Sequence, residues 1–178
     1  MVCKKYSHYL RSISAIYGLL HKFFYSIRGF HLHEIKERKF LAISLGDGNE
    51  SLTSKLLSLF VSWDVVAIDP FLSKTGTLNT ELRVKQIENY CEKINIAELT
   101  IDLYDMILIM SVHGHGDVKE FTNTLITQYP HKSFAVLSIP CCFQNRQIVD
   151  HQNLTLATQY KCYGILSSHN EIYIWTSI

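Results

Sequence analysis

Three stretches of the chain carry residue types that could do chemistry. Gly46-Asp47-Gly48 follows one apolar run, and Asp69 closes the next. Ser111-Val112-His113-Gly114-His115-Gly116-Asp117 follows a third run, and Pro140-Cys141-Cys142-Phe143 a fourth. Glycines take turn conformations barred to other residues and let a ligand approach the backbone. An acid at the tip of the neighbouring strand can accept hydrogen bonds from ribose hydroxyls. Imidazole titrates near neutral pH, so His113 or His115 could serve as a general base. A cysteine could attack C6 of a pyrimidine and activate C5 for methyl transfer. Plainer readings stand beside each of these. The glycines and Asp69 could be ordinary loop and turn residues, the histidines could bond only to backbone, and Cys141 and Cys142 could be buried and inert. His113-x-His115 could also be half of a metal site, but adjacent cysteines are a poor source of the remaining ligands.

The elements that must position these residues are legible from periodicity. Phe40 to Leu45 is a short apolar run ending at the glycine turn. Leu52, Leu56, Leu57, Leu59 and Phe60 recur at helical spacing, and Val65 to Ile68 is a second apolar run closed by Asp69-Pro70. The pattern predicts strand, turn, helix, strand. In a parallel sheet with helical crossovers, the carboxyl ends of the strands and the helix N-termini face one crevice. Residues 71–81 read as a loop, and 82–94 as a short strand running into a helical turn. Met106 to Met110 is a continuous apolar run, as a central strand buried on both faces requires. An amphipathic helix is expected over 117–129, with Val118, Phe121, Leu125 and Ile126 inward, Asp117 as its N-cap and Pro130 as its stop. Residues 133–139 form another buried strand. Residues 146–160 read as helix or loop, and 164–168 with 171–178 as a closing hairpin around His169-Asn170.

Length and composition bound the function. The chain has 178 residues, 47% hydrophobic and 19% charged, which suits one domain with a single core. A net charge of +1 gives no nucleic-acid footprint over the whole chain, so any basic surface is local. Five irregularly spaced cysteines argue against a disulfide framework and for a reducing compartment such as the cytoplasm. Residues 1–37 stand apart from 38–178. Lys4, Lys5, Arg11, Lys22 and Arg28 are interleaved with aromatic and aliphatic residues, and no acid precedes Glu34. This reads as a basic amphipathic helical segment. It could pack on the sheet edge, meet RNA phosphates, or act as a mitochondrial targeting segment. His21 and Lys22 interrupt it, so it is a poor membrane span.

The β-α-β unit over 40–70 resembles the nucleotide-binding half of the class I S-adenosylmethionine-dependent methyltransferases. Gly46-Asp47-Gly48 matches their turn after the first strand, and Asp69 matches their acid after the second. Ser44 stands where that family has its first acid, and Glu50 where it has a third glycine. A strand ending in His113, Gly116 and Asp117, followed by a helix and a strand ending in Cys141-Cys142, is similar to a branch of RNA-methyltransferase-like proteins. That branch includes transfer-RNA 2′-O-methyltransferases whose fifth strand ends in Cys-Cys-His. Here Phe143 takes the place of the final histidine.

The resemblance implies an α/β, Rossmann-like, doubly wound sheet, mostly parallel, with a C-terminal antiparallel hairpin. It implies S-adenosylmethionine as cofactor, held by Gly46, Asp47, Gly48, Asp69 and Ser111. It also implies His113, Asp117 and Cys141 as catalytic residues, no metal, and RNA as acceptor at a ribose 2′-oxygen or a base. The chain has no Asn-Pro-Pro-Tyr motif after the fourth strand, which argues against methylation of an adenine amino group. It also lacks the Lys-Asp-Lys-Glu set of viral cap-modifying enzymes. The alternative is an inactive methyltransferase-like module that binds RNA or a protein partner. A nicotinamide-dependent oxidoreductase fits poorly, because its Gly-x-Gly-x-x-Gly pattern would need glycine where Ser51 stands.

Overall fold

The computed structural model describes residues 38–72, 83–112, 114–140, 144–161 and 170–177. The expected N-terminal segment, His113, Cys141 and Cys142 therefore lie outside the described residues.

β1 (Phe40–Leu45) runs into the glycine turn and α1 (Leu52–Phe60), then β2 (Asp64–Ile68) and β3 (Val84–Ile87). Three short 3-10 turns lead to β4 (Met106–Val112). α2 (Val118–Gln128), β5 (Ser133–Ile139), the single turn α3 (Gln144–Gln147), β6 (Thr155–Lys161) and β7 (Glu171–Thr176) complete the described elements. The strands form one seven-stranded sheet in the order β3-β2-β1-β4-β5-β7-β6. The first five positions are parallel; β7 lies antiparallel to β5, and β6 antiparallel to β7. The fold class expected from the sequence is the one found.

The sheet is buried on both faces, which is why its central strands read as unbroken apolar runs. Side chains alternate across it. Phe40, Ala42, Leu108 and Leu137 pack with Leu56 and Leu57 of α1 on one face. Leu41, Ile43, Ile109 and Val136 pack with Val118, Phe121, Leu125 and Ile126 of α2 on the other. Among the described residues, α1 on one face and α2 on the other make the sheet doubly wound and leave the carboxyl ends of β1 and β4 facing a common crevice. The four inward residues expected for α2 are all buried.

The C-terminal pair differs from the sequence expectation. β7 pairs with Thr155–Lys161, so part of the 146–160 stretch is strand, not helix or loop, while the expected strand over 164–168 lies outside the described residues. β6 is the outer edge strand, its residues are mostly exposed, and a register shift between Leu156 and Thr158 breaks its alternation. An edge strand with no buried face carries little period-2 signal. No helix among the described residues is long and apolar enough to cross a membrane.

Candidate functional site

The site is built around the turn that follows β1. Gly46 and Gly48 both have φ of +71°, in the left-handed region that favours glycine. Gly46 N–H donates to Ile68 O at 2.9 Å, tying the turn to the end of β2. Asp69 continues from there. It is buried, and its Oδ2 accepts from Gly48 N–H at 2.9 Å while its Oδ1 accepts from Phe71 N–H at 2.8 Å. Hydrogen bonds to an ionised acceptor are each worth about 1.5–3 kcal/mol, so one carboxylate braces both the glycine turn and the chain leaving β2. Each oxygen keeps a further lone pair for a ligand hydroxyl. Phe71 beside it is 74% exposed, an unusual position for a large aromatic ring.

Asp47 sits in the same turn but faces the helix. Its Oδ1 accepts from Thr53 N–H at 2.8 Å and its Oδ2 from Ser54 N–H at 2.9 Å. It thus satisfies two of the first amides of α1, which otherwise have no partner in the helix. Ser51, next to the helix, is in the left-handed region and makes no side-chain cap, so the cap comes from four residues further back. Its hydroxyl instead accepts from Gln86 Nε2 at 2.6 Å, joining the helix start to β3. Burial pushes the Asp47 pKa above its ordinary value, against the opposing pull of the bonds from Ser54 and Thr53.

The loop after β4 packs directly on this turn. A Cβ on Gly46 would lie 2.5 Å from Gly114 Cα and 3.2 Å from His115 N. A Cβ on Gly114 would lie 2.6 Å from both Leu45 O and Ser111 Oγ. Two glycines facing each other let the two loops approach to a separation that side chains would forbid. Ser111 is fully buried beneath them, and its Oγ has no hydrogen-bond partner among the described residues.

The loop after β4 also carries two more of the predicted residues, Asp117 and His115. Asp117 caps α2: its Oδ1 accepts from Glu120 N–H at 2.9 Å, and its Oδ2 lies 3.9 Å from Arg146 Nε. His115 is exposed on the loop. His113 and Cys141 lie outside the described residues. Beneath Gly116 sits Cys91, from the 3-10 turn after β3, with its Sγ 2.6 Å from where a Gly116 Cβ would be. Burial, with Glu92 adding to it, pushes the Cys91 thiol up to about 12, so this cysteine is inert packing. No group of three or more His, Cys, Asp or Glu among the described residues could hold a metal ion.

Two residues escaped the sequence reading. One is Cys91 as the floor of the loop after β4. The other is Gln147 in α3, fully buried, which donates to Gly116 O at 2.7 Å and accepts from Ser138 Oγ at 3.4 Å.

No family model and no curated protein matches the chain. Solved structures similar to it include a mutant of MtNAS in complex with S-adenosylmethionine, at 14% identity and a TM-score of 0.47 over 78% of this chain. The chain spans 55% of the length of that protein. The human methyltransferase 10 domain containing protein is similar at 13% identity and a TM-score of 0.45, with 94% of this chain and 80% of the other covered. The plantazolicin methyltransferase BpumL in complex with SAH is similar at 10% identity and a TM-score of 0.46, covering 94% and 83%.

Proposed function

We propose that the chain is an S-adenosylmethionine-dependent methyltransferase whose acceptor is RNA, at a ribose 2′-oxygen or a base. The observation that carries this reading is the join at the carboxyl edge of the sheet. Two left-handed glycines and a buried carboxylate meet there through the Gly48–Asp69 hydrogen bond. The residues fit the cofactor in three respects. Asp69 has lone pairs for ribose hydroxyls, Gly46 and Gly48 bring bare backbone to the crevice, and Ser111 offers a buried hydroxyl with no partner among the described residues. Asp69 would hold the ribose, and Gly46, Asp47 and Gly48 the amino-acid end. Asp47 would do so through the turn it shapes, since its carboxylate serves the start of α1.

When bound, S-adenosylmethionine supplies a methyl group on a sulfonium, a good leaving group at physiological pH. The chain's own task is to hold the acceptor in line and exclude water, which can lower a barrier by about 7–11 kcal/mol when two reactants are well oriented. A 2′-hydroxyl acceptor must also lose its proton. His113 or His115 would take it, and Asp117 would fix the loop that carries them by anchoring it to α2. For a pyrimidine C5 acceptor, Cys141 would be the nucleophile at C6. RNA is the preferred acceptor because of the His-x-x-Gly-Asp and Cys-Cys layout and the acid-free basic segment before Glu34.

The second reading is an inactive methyltransferase-like module that binds RNA or a protein. Asp47 favours it, because the chain's own carboxylate already occupies the first amides of α1, a natural anion site. Incubation with methyl-tritiated S-adenosylmethionine and total RNA, followed by nuclease digestion, separates the two. Label in a discrete nucleoside supports the enzyme with an RNA acceptor. Cofactor binding without label in any RNA removes RNA as the acceptor, and no binding leaves the inactive module.

A further inference from the structure

One buried side chain ties the loop after β4 to the end of β5. Gln147 ends α3, the turn that begins directly after Cys141-Cys142-Phe143. Its Nε2 donates to Gly116 O at 2.7 Å, across 31 residues of sequence, and its Oε1 accepts from Ser138 Oγ at 3.4 Å. Ser138 is the register partner of Ser111 on β4, so the two serines stand side by side at the carboxyl ends of adjacent strands. Both are fully buried, as is Gln147. A buried primary amide is costly unless both of its ends are bonded, and here both are.

The connection continues to the nucleotide turn. Gly116 O also accepts from Val118 N–H at 3.1 Å at the start of α2. Two residues back, Gly114 is packed against Gly46 and Leu45 O with no room for a Cβ. The loop 114–117 is therefore held on one side by Gln147 and pressed on the other against the turn that follows β1. Gln147 acts on that turn through the loop.

We propose that Gln147 is a positioning residue. It fixes the loop after β4 between the end of β5 and the glycine turn, and so sets the outer wall of the cofactor crevice. The part of this that concerns cofactor affinity rests on the methyltransferase reading; the latch itself does not.

The test uses Gln147→Leu, which keeps the volume and removes both bonds. It also uses Gln147→Met, which keeps the unbranched length of the side chain and likewise removes both bonds. Amide hydrogen exchange over residues 114–118 reads the latch, and calorimetric titration of S-adenosylmethionine reads the crevice. Loss of a hydrogen bond worth about 1.4 kcal/mol is tenfold in an equilibrium, so exchange over 114–118 should rise roughly tenfold in both variants. Exchange in β1 and β4 should stay within about twofold of the wild type. Cofactor affinity should fall about three- to tenfold at a temperature where circular dichroism shows full folding.

A lower melting temperature with exchange rising equally everywhere and affinity unchanged would make Gln147 a general packing residue and overturn the proposal. Should Gln147→Leu fail to fold, Gln147→Met alone decides, by the same local-against-global comparison. If the wild type binds no S-adenosylmethionine, the methyltransferase reading falls, while selective exchange over 114–118 still supports the latch and its absence still refutes it.

Discussion

Gly46 and Gly48 share the same φ of +71° but not the same surroundings, and that pair isolates the contact between the two loops. A Cβ at Gly48 meets nothing within 4 Å, whereas one at Gly46 lies 2.5 Å from Gly114 Cα. Both alanine variants suffer the left-handed backbone penalty of about 1–2 kcal/mol. Each recovers about 0.4–1 kcal/mol through the lower entropy of its unfolded chain. Only Gly46→Ala must also open a carbon–carbon separation to the ordinary 3.5–4.0 Å, a movement of about 1 Å or more between two backbones. Neither backbone can rotate away as a side-chain end could. Overpacking of this kind costs about 1–3 kcal/mol. For a domain of this size, about 2–4 °C of melting temperature goes with each kcal/mol. Gly46→Ala should therefore melt roughly 3–10 °C below Gly48→Ala, with differential scanning calorimetry as the assay. Equal melting temperatures for the two variants would refute the close packing of the loops, and with it the shape assigned to the crevice.

Two further outcomes follow from particular contacts. Because burial raises the Asp47 pKa, the folded state holds that proton more tightly than the unfolded one. This group's contribution to stability therefore falls as the pH rises from the unfolded value through the raised folded value. Relative to Asp47→Asn, which does not titrate, the wild type should gain stability as the pH is lowered from 7 towards 4; a constant difference across that range in thermal melts would contradict the burial. Gly116→Ala should be destabilising because its Cβ would meet Cys91 Sγ at 2.6 Å, and Cys91→Ala in the same chain should recover stability. A double-mutant cycle by urea unfolding should give a coupling of about 1–3 kcal/mol, and additive effects would show that the contact is absent.

The parts of this protein that were legible in sequence are those whose signal is local. β1, β2, β4 and β5 are parallel strands buried on both faces, so each is a plain apolar run. α2 shows its inward face at helical spacing and its Asp117 cap three residues from the amide it binds. β6 was not legible because it is an exposed edge strand with an irregular register. Asp47 was read as facing a ligand because a cap is sought beside its helix, and this one reaches six and seven residues forward. Gln147 and Cys91 gain their roles only from partners brought together by the sheet. Gln147 reaches Gly116 O across 31 positions in a stretch with no periodicity. Nothing in its own neighbourhood distinguishes it from a surface glutamine.

The central claim is that the crevice between the glycine turn and Asp69 takes S-adenosylmethionine. Isothermal titration of that cofactor into the purified chain, beside Asp69→Ala, tests it most directly. Micromolar binding is expected, and it should be lost in the variant while circular dichroism shows the sheet intact. A folded wild-type chain that binds no cofactor, or one that binds equally well without the Asp69 carboxylate, would contradict it.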